Sequence, residues 1–348
     1  MKKQIILHLL LLFPLVTLWA QENNHHEFEI LARQNEEILL YQRLNDIADM
    51  DIINITSLPL SVTPPAIGCE FIDSLRNLPF VVRSFVFFPK ALKSTKKYPL
   101  IVMPHGGVHG NVGTYWAHLI RELVAQGYIV TMPEYRGSIG YGQGYYEAID
   151  YGGRENEDVL AVRDYMAANC DVVDSTRIGI IGWSHGGMIT LMNILQYPDK
   201  YACGFAGVPV SDVAYRLSYL MPEYADNFTP AYHVGATPEE NPEEYARRSP
   251  VSYAHLLRKP LRIATCVNDN DVSWTEVNRM IEALKRENKE FEYTIYPWMP
   301  GSHQFQLIDN PESAELRWEV YNYLARYLSP AHPFRSVKEL RAAGYRYR

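Results

Sequence analysis

Short apolar runs alternate along most of this chain with longer stretches whose apolar residues recur at three- and four-residue spacing. Val81–Phe88, Pro99–Met103, Tyr128–Met132, Ile178–Ile181, Phe205–Val210, Leu261–Val267 and Phe291–Tyr296 are compact apolar runs, which predicts strands. Between them, Trp116–Ala125 reads as a helix ended by Gly127, and Glu155–Asn169 as an amphipathic helix. Ser273 and Glu276 form a capping box before the helical positions Val277, Met280, Ile281 and Leu284. A last helix is predicted over Glu312–Tyr327, with Pro311 at its start. Ile30, Leu31, Ile38, Leu39 and Leu44 have helical spacing, so Glu27–Asp46 also reads as a helix, followed by an extended connector at Pro59, Pro64 and Pro65. Alternating strands and helices imply an α/β fold: a mostly parallel central sheet with helices on both faces.

The two ends of the chain read differently. Lys2 and Lys3, an apolar run from Ile5 to Trp19 and the small Ala20 before Gln21-Glu22-Asn23 predict a signal peptide over residues 1–20. The run is short for a membrane span and Pro14 interrupts it, so cleavage and export to a periplasmic or extracellular space are expected, with no stable membrane insertion afterwards. The remaining boundaries are an N-terminal helical and extended segment at 21–65, a catalytic domain at 66–330 and a solvated tail at 331–348. The segment Ser211–Ser252, rich in Tyr, Pro and Glu, interrupts the alternation and is expected to line a substrate pocket above the sheet.

A formal net charge of −7, with no basic stripe, excludes a nucleic-acid partner. Cys69, Cys170, Cys203 and Cys266 have no metal-site spacing. Cys203 opens one predicted strand and Cys266 closes the next, so these two are expected as buried thiols at opposite ends of the sheet.

The chemistry centres on Ser184, in Gly182-Trp183-Ser184-His185-Gly186-Gly187 directly after Ile178–Ile181. A strand entering a tight turn before a helix lifts the serine hydroxyl above the sheet, and the flanking glycines remove colliding side chains. A serine hydroxyl needs a base, and the base an orienting carboxylate. His303 follows the strand that ends at Tyr296 and is the candidate base. Asp269 and Asp271 both follow the strand Leu261–Val267 and are both candidate acids. The backbone N–H of His185 is one candidate oxyanion donor, and the loop Pro104-His105-Gly106-Gly107-Val108-His109-Gly110 offers a second. The ring of His185 starts the helix beside Ser184 and points away from it, so it is not a base.

These pieces, with Tyr135-Arg136-Gly137-Ser138-Ile139-Gly140-Tyr141-Gly142, the stretch Gly152–Tyr165, Ser249-Pro250 and Gly301-Ser302-His303, resemble the catalytic domain of the prolyl oligopeptidase family. The likeness runs in order over residues 80–330 and is strongest to the dipeptidyl- and acylaminoacyl-peptidase branches. It implies an α/β-hydrolase fold with Ser184 as nucleophile, Asp269 as acid and His303 as base. It also sets His105 and Gly106 near the oxyanion, and Val210, Val213 and Arg216 at the substrate pocket. The chain departs from the family pattern at Thr265-Cys266, where a histidine-glycine is usual, and at His185, where tyrosine is common. Val213, Arg216 and Leu220 stand where the family has its aromatic proline pocket. About sixty residues between the signal and the sheet are too few for the β-propeller these peptidases usually carry.

The resulting expectation is an exported serine hydrolase using no metal and no organic cofactor. A peptide substrate is the first reading, a carboxylesterase for small or sugar-linked esters the second, and a non-catalytic binding protein on the hydrolase fold the third.

Overall fold

The apolar runs pack side by side in one sheet, and their continuous apolarity follows from burial on both faces. The computed structural model describes residues 27–59, 79–228, 234–308 and 310–345; the signal-peptide segment, Cys69 and most of the Pro-rich connector lie outside them. Among the described residues the strands are β1 (Ala48–Ser57), β2 (Phe80–Pro89), β3 (Tyr98–Val102), β4 (Ile129–Glu134), β5 (Val173–Trp183), β6 (Cys203–Gly207), β7 (Leu261–Cys266) and β8 (Glu292–Tyr296). Their order across the sheet is β1-β2-β4-β3-β5-β6-β7-β8. β1 and β2 are antiparallel to their neighbours, and every pairing from β4 onward to β8 is parallel.

Helices cover both faces. α1 spans 27–44; α2 (Ala117–Ala125), α3 (Glu155–Asn169), α4 (His185–Gln196), α5 (Val213–Tyr219), α6 (Pro242–Arg247), α7 (Trp274–Arg286), α8 (Pro311–Leu328) and α9 (Val337–Ala343) follow. One core layer joins Leu40 of α1, Leu123 of α2, Leu324 of α8 and Leu340 of α9 to Phe85, Ile101 and Phe205 of the sheet. The opposite layer joins Val159 of α3, Ile189 of α4 and Met280 of α7 to Val86, Ile180 and Ile263. Full burial of such side chains contributes roughly 1.5–3 kcal/mol each. Cys203 and Cys266 are buried free thiols at the start of β6 and the end of β7. Burial pushes both thiols up to about 12, which keeps them protonated and unreactive.

Three features differ from the sequence expectation. The sheet begins at Ala48, inside the segment read as an N-terminal extension. β1 carries Asp49 and Asp51 and is half exposed, as suits an edge strand that must not pair with other chains. The C-terminal residues are not simply solvated, because α9 buries Leu340 against the first core layer. Glu276 does not reach back to close a capping box on Ser273. Its carboxylate instead accepts from the backbone N–H groups of Ser211 (2.7 Å) and Asp212 (3.2 Å). Burial pushes Glu276 above the usual carboxylate range, against the opposing pull of Arg216.

A buried ion pair ties α8 to α2 in the first layer. Arg317 of α8 donates to both carboxylate oxygens of Glu122 on α2, at 2.9 and 3.0 Å. Its remaining N–H groups reach the carbonyls of Gln306 and Ile308, both at 3.1 Å, so the same guanidinium anchors the loop leading away from His303. Replacing Glu122 by Ala strands this guanidinium in the core. We expect a loss of about 3–5 kcal/mol in urea unfolding; a loss below about 1 kcal/mol would contradict the anchoring role.

Candidate active site

Ser184 occupies the turn between β5 and α4 with φ 58° and ψ −122°, a conformation that strains any residue with a Cβ. The turn closes because Gly182 and Gly186, two positions to either side, have no side chains. A Cβ on Gly182 would lie 2.2 Å from the Gly186 carbonyl oxygen, and one on Gly186 would lie 2.3 Å from that of Pro104. The Ser184 N–H bonds the Gly207 carbonyl of β6 (3.0 Å), and its own carbonyl accepts from Met188 (3.0 Å), starting α4.

His303 stands on the far side, in a turn where Gly301 and Ser302 both have positive φ. Its Nδ1 lies 2.9 Å from both oxygens of Asp269. Asp269 is fully buried, and its Oδ1 also accepts from the N–H groups of Asp271 and Val272, each at 2.9 Å. That arrangement sets the Nδ1–H tautomer and leaves Nε2 to act as a base. Asp271 sits at the other nitrogen, 3.7 Å from Nε2, but its carboxylate is held by Arg216 at 2.6 Å.

The two loops bearing Asp269 and His303 are stitched together by residues the sequence reading did not single out. Asn268 and Met299 exchange bonds in both directions, each 2.9 Å. The Ser302 hydroxyl donates to the Asn268 carbonyl (2.6 Å) and accepts from the Asn270 N–H (3.1 Å).

Ser184 and His303 line one cavity of about 470 Å³, together with Gly106, Gly107, Thr114, Tyr115, Trp116, Glu36 and Gln304. Gly106 brings its backbone to the cavity, whereas the ring of His105 turns into the protein. That ring is fully buried, 2.9 Å from Ser138 Oγ and 3.3 Å from Glu134 Oε2, and stacked on Tyr135. The Tyr135 hydroxyl lies 3.0 Å from the His105 carbonyl and 2.7 Å from that of Gly107. Because the peptide unit is planar and trans, a His105 carbonyl held on Tyr135 turns the Gly106 N–H to the opposite side. The His185 ring is also buried, packed between Tyr135 and Tyr151 with Nε2 3.3 Å from Glu155 Oε1. Burial pushes Glu155 up, but contact with His185 and the backbone N–H of Gly152 hold its carboxyl below the usual range. The rings of His105 and His185 therefore lie in a polar layer beneath the cavity and are not part of its lining.

The expected substrate pocket is corrected. Val210, Val213 and Arg216 do not line the Ser184 cavity; Val210 and Val213 are buried in the second core layer, and Arg216 is buried beside Asp271 and Glu276. The Arg216 guanidinium stands over the Tyr224 ring at 4.9 Å and bonds the Tyr219 and Tyr224 hydroxyls, both at 3.1 Å. With Asp271 at 2.6 Å and Glu276 at 3.5 Å its charge is already matched, so it is not available to a substrate carboxylate. No described residue of Ser211–Ser252 lines the cavity either. Its wall comes from α1, the loop of residues 106–116 and residues 304–307. The sequence offered no signal for Glu36, since an acidic residue on an amphipathic helix reads as a solvated face. Among the described residues no cluster of three or more His, Cys, Asp or Glu could hold a metal ion.

A serine on the strained turn after the middle strand of a mostly parallel sheet sets this chain among the α/β-hydrolases. It matches the prolyl oligopeptidase family over residues 115–330, more than half its length, and belongs to that family. The acylamino-acid-releasing enzyme of Rattus norvegicus is 30% identical over 205 residues, covering 57% of this chain and 28% of that enzyme. Dipeptidyl peptidase 8 of Homo sapiens is 27% identical over 278 residues, covering 76% of this chain and 29% of that protein. The chain thus spans about a third or less of the length of these curated relatives. Among solved structures, an acylaminoacyl peptidase of Pyrococcus horikoshii superposes with a TM-score of 0.66 at 20% identity, over 87% of this chain and 45% of that one. A puromycin hydrolase superposes with a TM-score of 0.63 at 22% identity, over 81% and 40%. At these identities the structural matches speak to the fold.

The geometry separates the two candidate acids. Asp269→Asn is expected to lower kcat for acyl hydrolysis by about 10⁴-fold, since the amide favours the wrong imidazole tautomer. Asp271→Asn should be far milder. Equal losses in a side-by-side kinetic comparison would reverse the assignment.

Proposed function

We propose that this chain is an exported serine peptidase of prolyl oligopeptidase type, with Ser184 as nucleophile, His303 as base and Asp269 as its orienting acid. The observation that carries the reading is the opening of Ser184 and His303 onto one cavity, with the buried Asp269 on the far nitrogen of the imidazole. Membership of a peptidase family supports amide cleavage over ester cleavage. The residues 1–20 support export.

In this reading the scissile carbonyl enters beside Ser184. His303 Nε2 takes the hydroxyl proton as Oγ attacks, and the imidazolium is stabilised across Nδ1–H by Asp269. The N–H groups of His185 and Gly106 receive the oxyanion, giving a preorganised charge sink that needs no rearrangement. His303 then hands its proton to the leaving amine, which departs as the carbonyl re-forms. A water repeats the sequence on the acyl-enzyme, with Nε2 again taking and returning the proton, and releases the acid.

Labelling with a fluorophosphonate tests the nucleophile. The intact chain should gain the covalent adduct at Ser184, and Ser184→Ala should gain none while keeping its unfolding midpoint. A panel of aminoacyl anilides, short peptides and acyl esters then tests the bond type. Turnover of anilides or peptides is expected, and turnover confined to esters would refute the peptidase assignment. Mass spectrometry of the exported protein should find a mature N-terminus near Gln21; an intact Met1 would refute processing.

A further inference from the structure

Among the described residues the Ser184 cavity is lined by two carboxylates, Glu36 and Asp271, and by no lysine or arginine. Asp271 is matched by Arg216 at 2.6 Å. Glu36 is not matched by any cation among the described residues. It projects from α1, and both of its hydrogen bonds come from one residue. The Thr114 N–H and the Thr114 hydroxyl each donate to Glu36 Oε2 at 2.7 Å, and no described residue donates to Oε1. Gly113 makes room for this arrangement, since a Cβ there would lie 2.9 Å from Glu36 Oε2. Two bonds on one oxygen fix the carboxylate in a single orientation before any ligand arrives, so little side-chain entropy remains to be lost on binding. A half-buried, oriented carboxylate in a cavity of mixed polar and apolar walls is a receptor for a positive charge. Tyr115 and Trp116 also line the cavity, and an aromatic ring is a favourable neighbour for an ammonium.

We infer that Glu36 receives a protonated amine of the substrate, so that this cavity selects cationic over neutral acyl compounds. The inference rests on Ser184 being the reacting group of the same cavity. Two parts of a peptide carry the required chemistry, the free amino terminus and a basic side chain, and the shared feature is an ammonium or guanidinium within reach of Glu36 Oε1. The competing role for Glu36 is structural: docking α1 onto the 113–114 turn. Glu36→Gln separates the two, because the amide oxygen still accepts both Thr114 bonds while the charge is gone.

The test compares kcat/KM within matched pairs on the full chain. Ala-Phe 4-nitroanilide against its N-acetyl form reads the amino terminus. N-acetyl-lysine against N-acetyl-norleucine 4-nitrophenyl ester reads the side chain. At least one pair should favour the cationic member by about tenfold, the scale of a charged hydrogen bond. In Glu36→Gln that ratio should fall towards one, mainly through KM. Gly113→Ala, whose methyl displaces the carboxylate, should reduce the ratio as well. A parallel calorimetric titration of Ser184→Ala with phenylalanine amide and N-acetylphenylalanine amide reads the same preference without turnover. It should vanish when Glu36→Gln is added. Ratios unchanged by Glu36→Gln in both pairs and in the titration would overturn the inference. If the chain neither reacts with a fluorophosphonate nor turns over any substrate, the serine-hydrolase reading fails, and the titration alone still decides whether Glu36 binds the cation.

Discussion

The site depends on one backbone conformation, the positive φ of Ser184 between β5 and α4. Holding a residue there costs on the order of 1–3 kcal/mol, and nothing in the serine itself supplies that energy. The surroundings do. β5 is paired on both sides, and α4 is buried along nearly its whole length. The contacts at Gly182 and Gly186 are too close for any other residue. The turn is over-determined by packing on every side, so the hydroxyl is presented at a fixed point above the sheet.

The second fixed point is built differently. Asp269 and His303 come from loops after β7 and β8, at the edge of the sheet, where regular structure gives less support. Side-chain bonds replace it. Asn268 with Met299, and Ser302 with Asn268 and Asn270, join the two loops, and Arg317 holds the chain beyond them to α2. A polar layer beneath the cavity, with His105, Tyr135, Glu134, His185 and Glu155, fixes the backbone of the remaining wall. Polar groups at such depth are costly unless they have partners. The His105 ring and the Tyr135 hydroxyl have theirs, while the His185 ring nitrogens have no hydrogen-bond partner among the described residues, and Nε2 has the Glu155 carboxylate charge beside it.

Much of this was legible in the sequence because it rests on local pattern. The strand Ile178–Ile181, the glycines around Ser184 and the order of serine, aspartate and histidine are short-range signals, and each maps to a defined place in the fold. Spacing within the chain left Asp269 and Asp271 level; the family resemblance pointed to Asp269, and the three-dimensional path of the loop sets it on Nδ1 and gives Asp271 to Arg216. β1 was hidden because an edge strand carries aspartates and exposes one side, which erases its apolar signature. The pocket was misread for a related reason. Arg216 looked available because its partners, Asp271 and Glu276, are distant in sequence and close only in the fold. Glu36 was invisible for the same reason: Thr114, its sole hydrogen-bonding partner among the described residues, is 78 positions away.

The chain order of the site has a bearing on synthesis. The serine lies near the middle of the sequence, while Asp269 and His303 belong to the last two strands, and the loop beyond His303 is fastened by a residue of α8. A ribosome making this chain exposes the glycine-flanked turn well before it releases the residues that would activate it. Until β8 has docked on β7, the imidazole and its carboxylate share no frame. In the proposed reading a nascent or truncated chain carries a serine with no base, and hydrolytic competence would arrive only once β8 and α8 are in place.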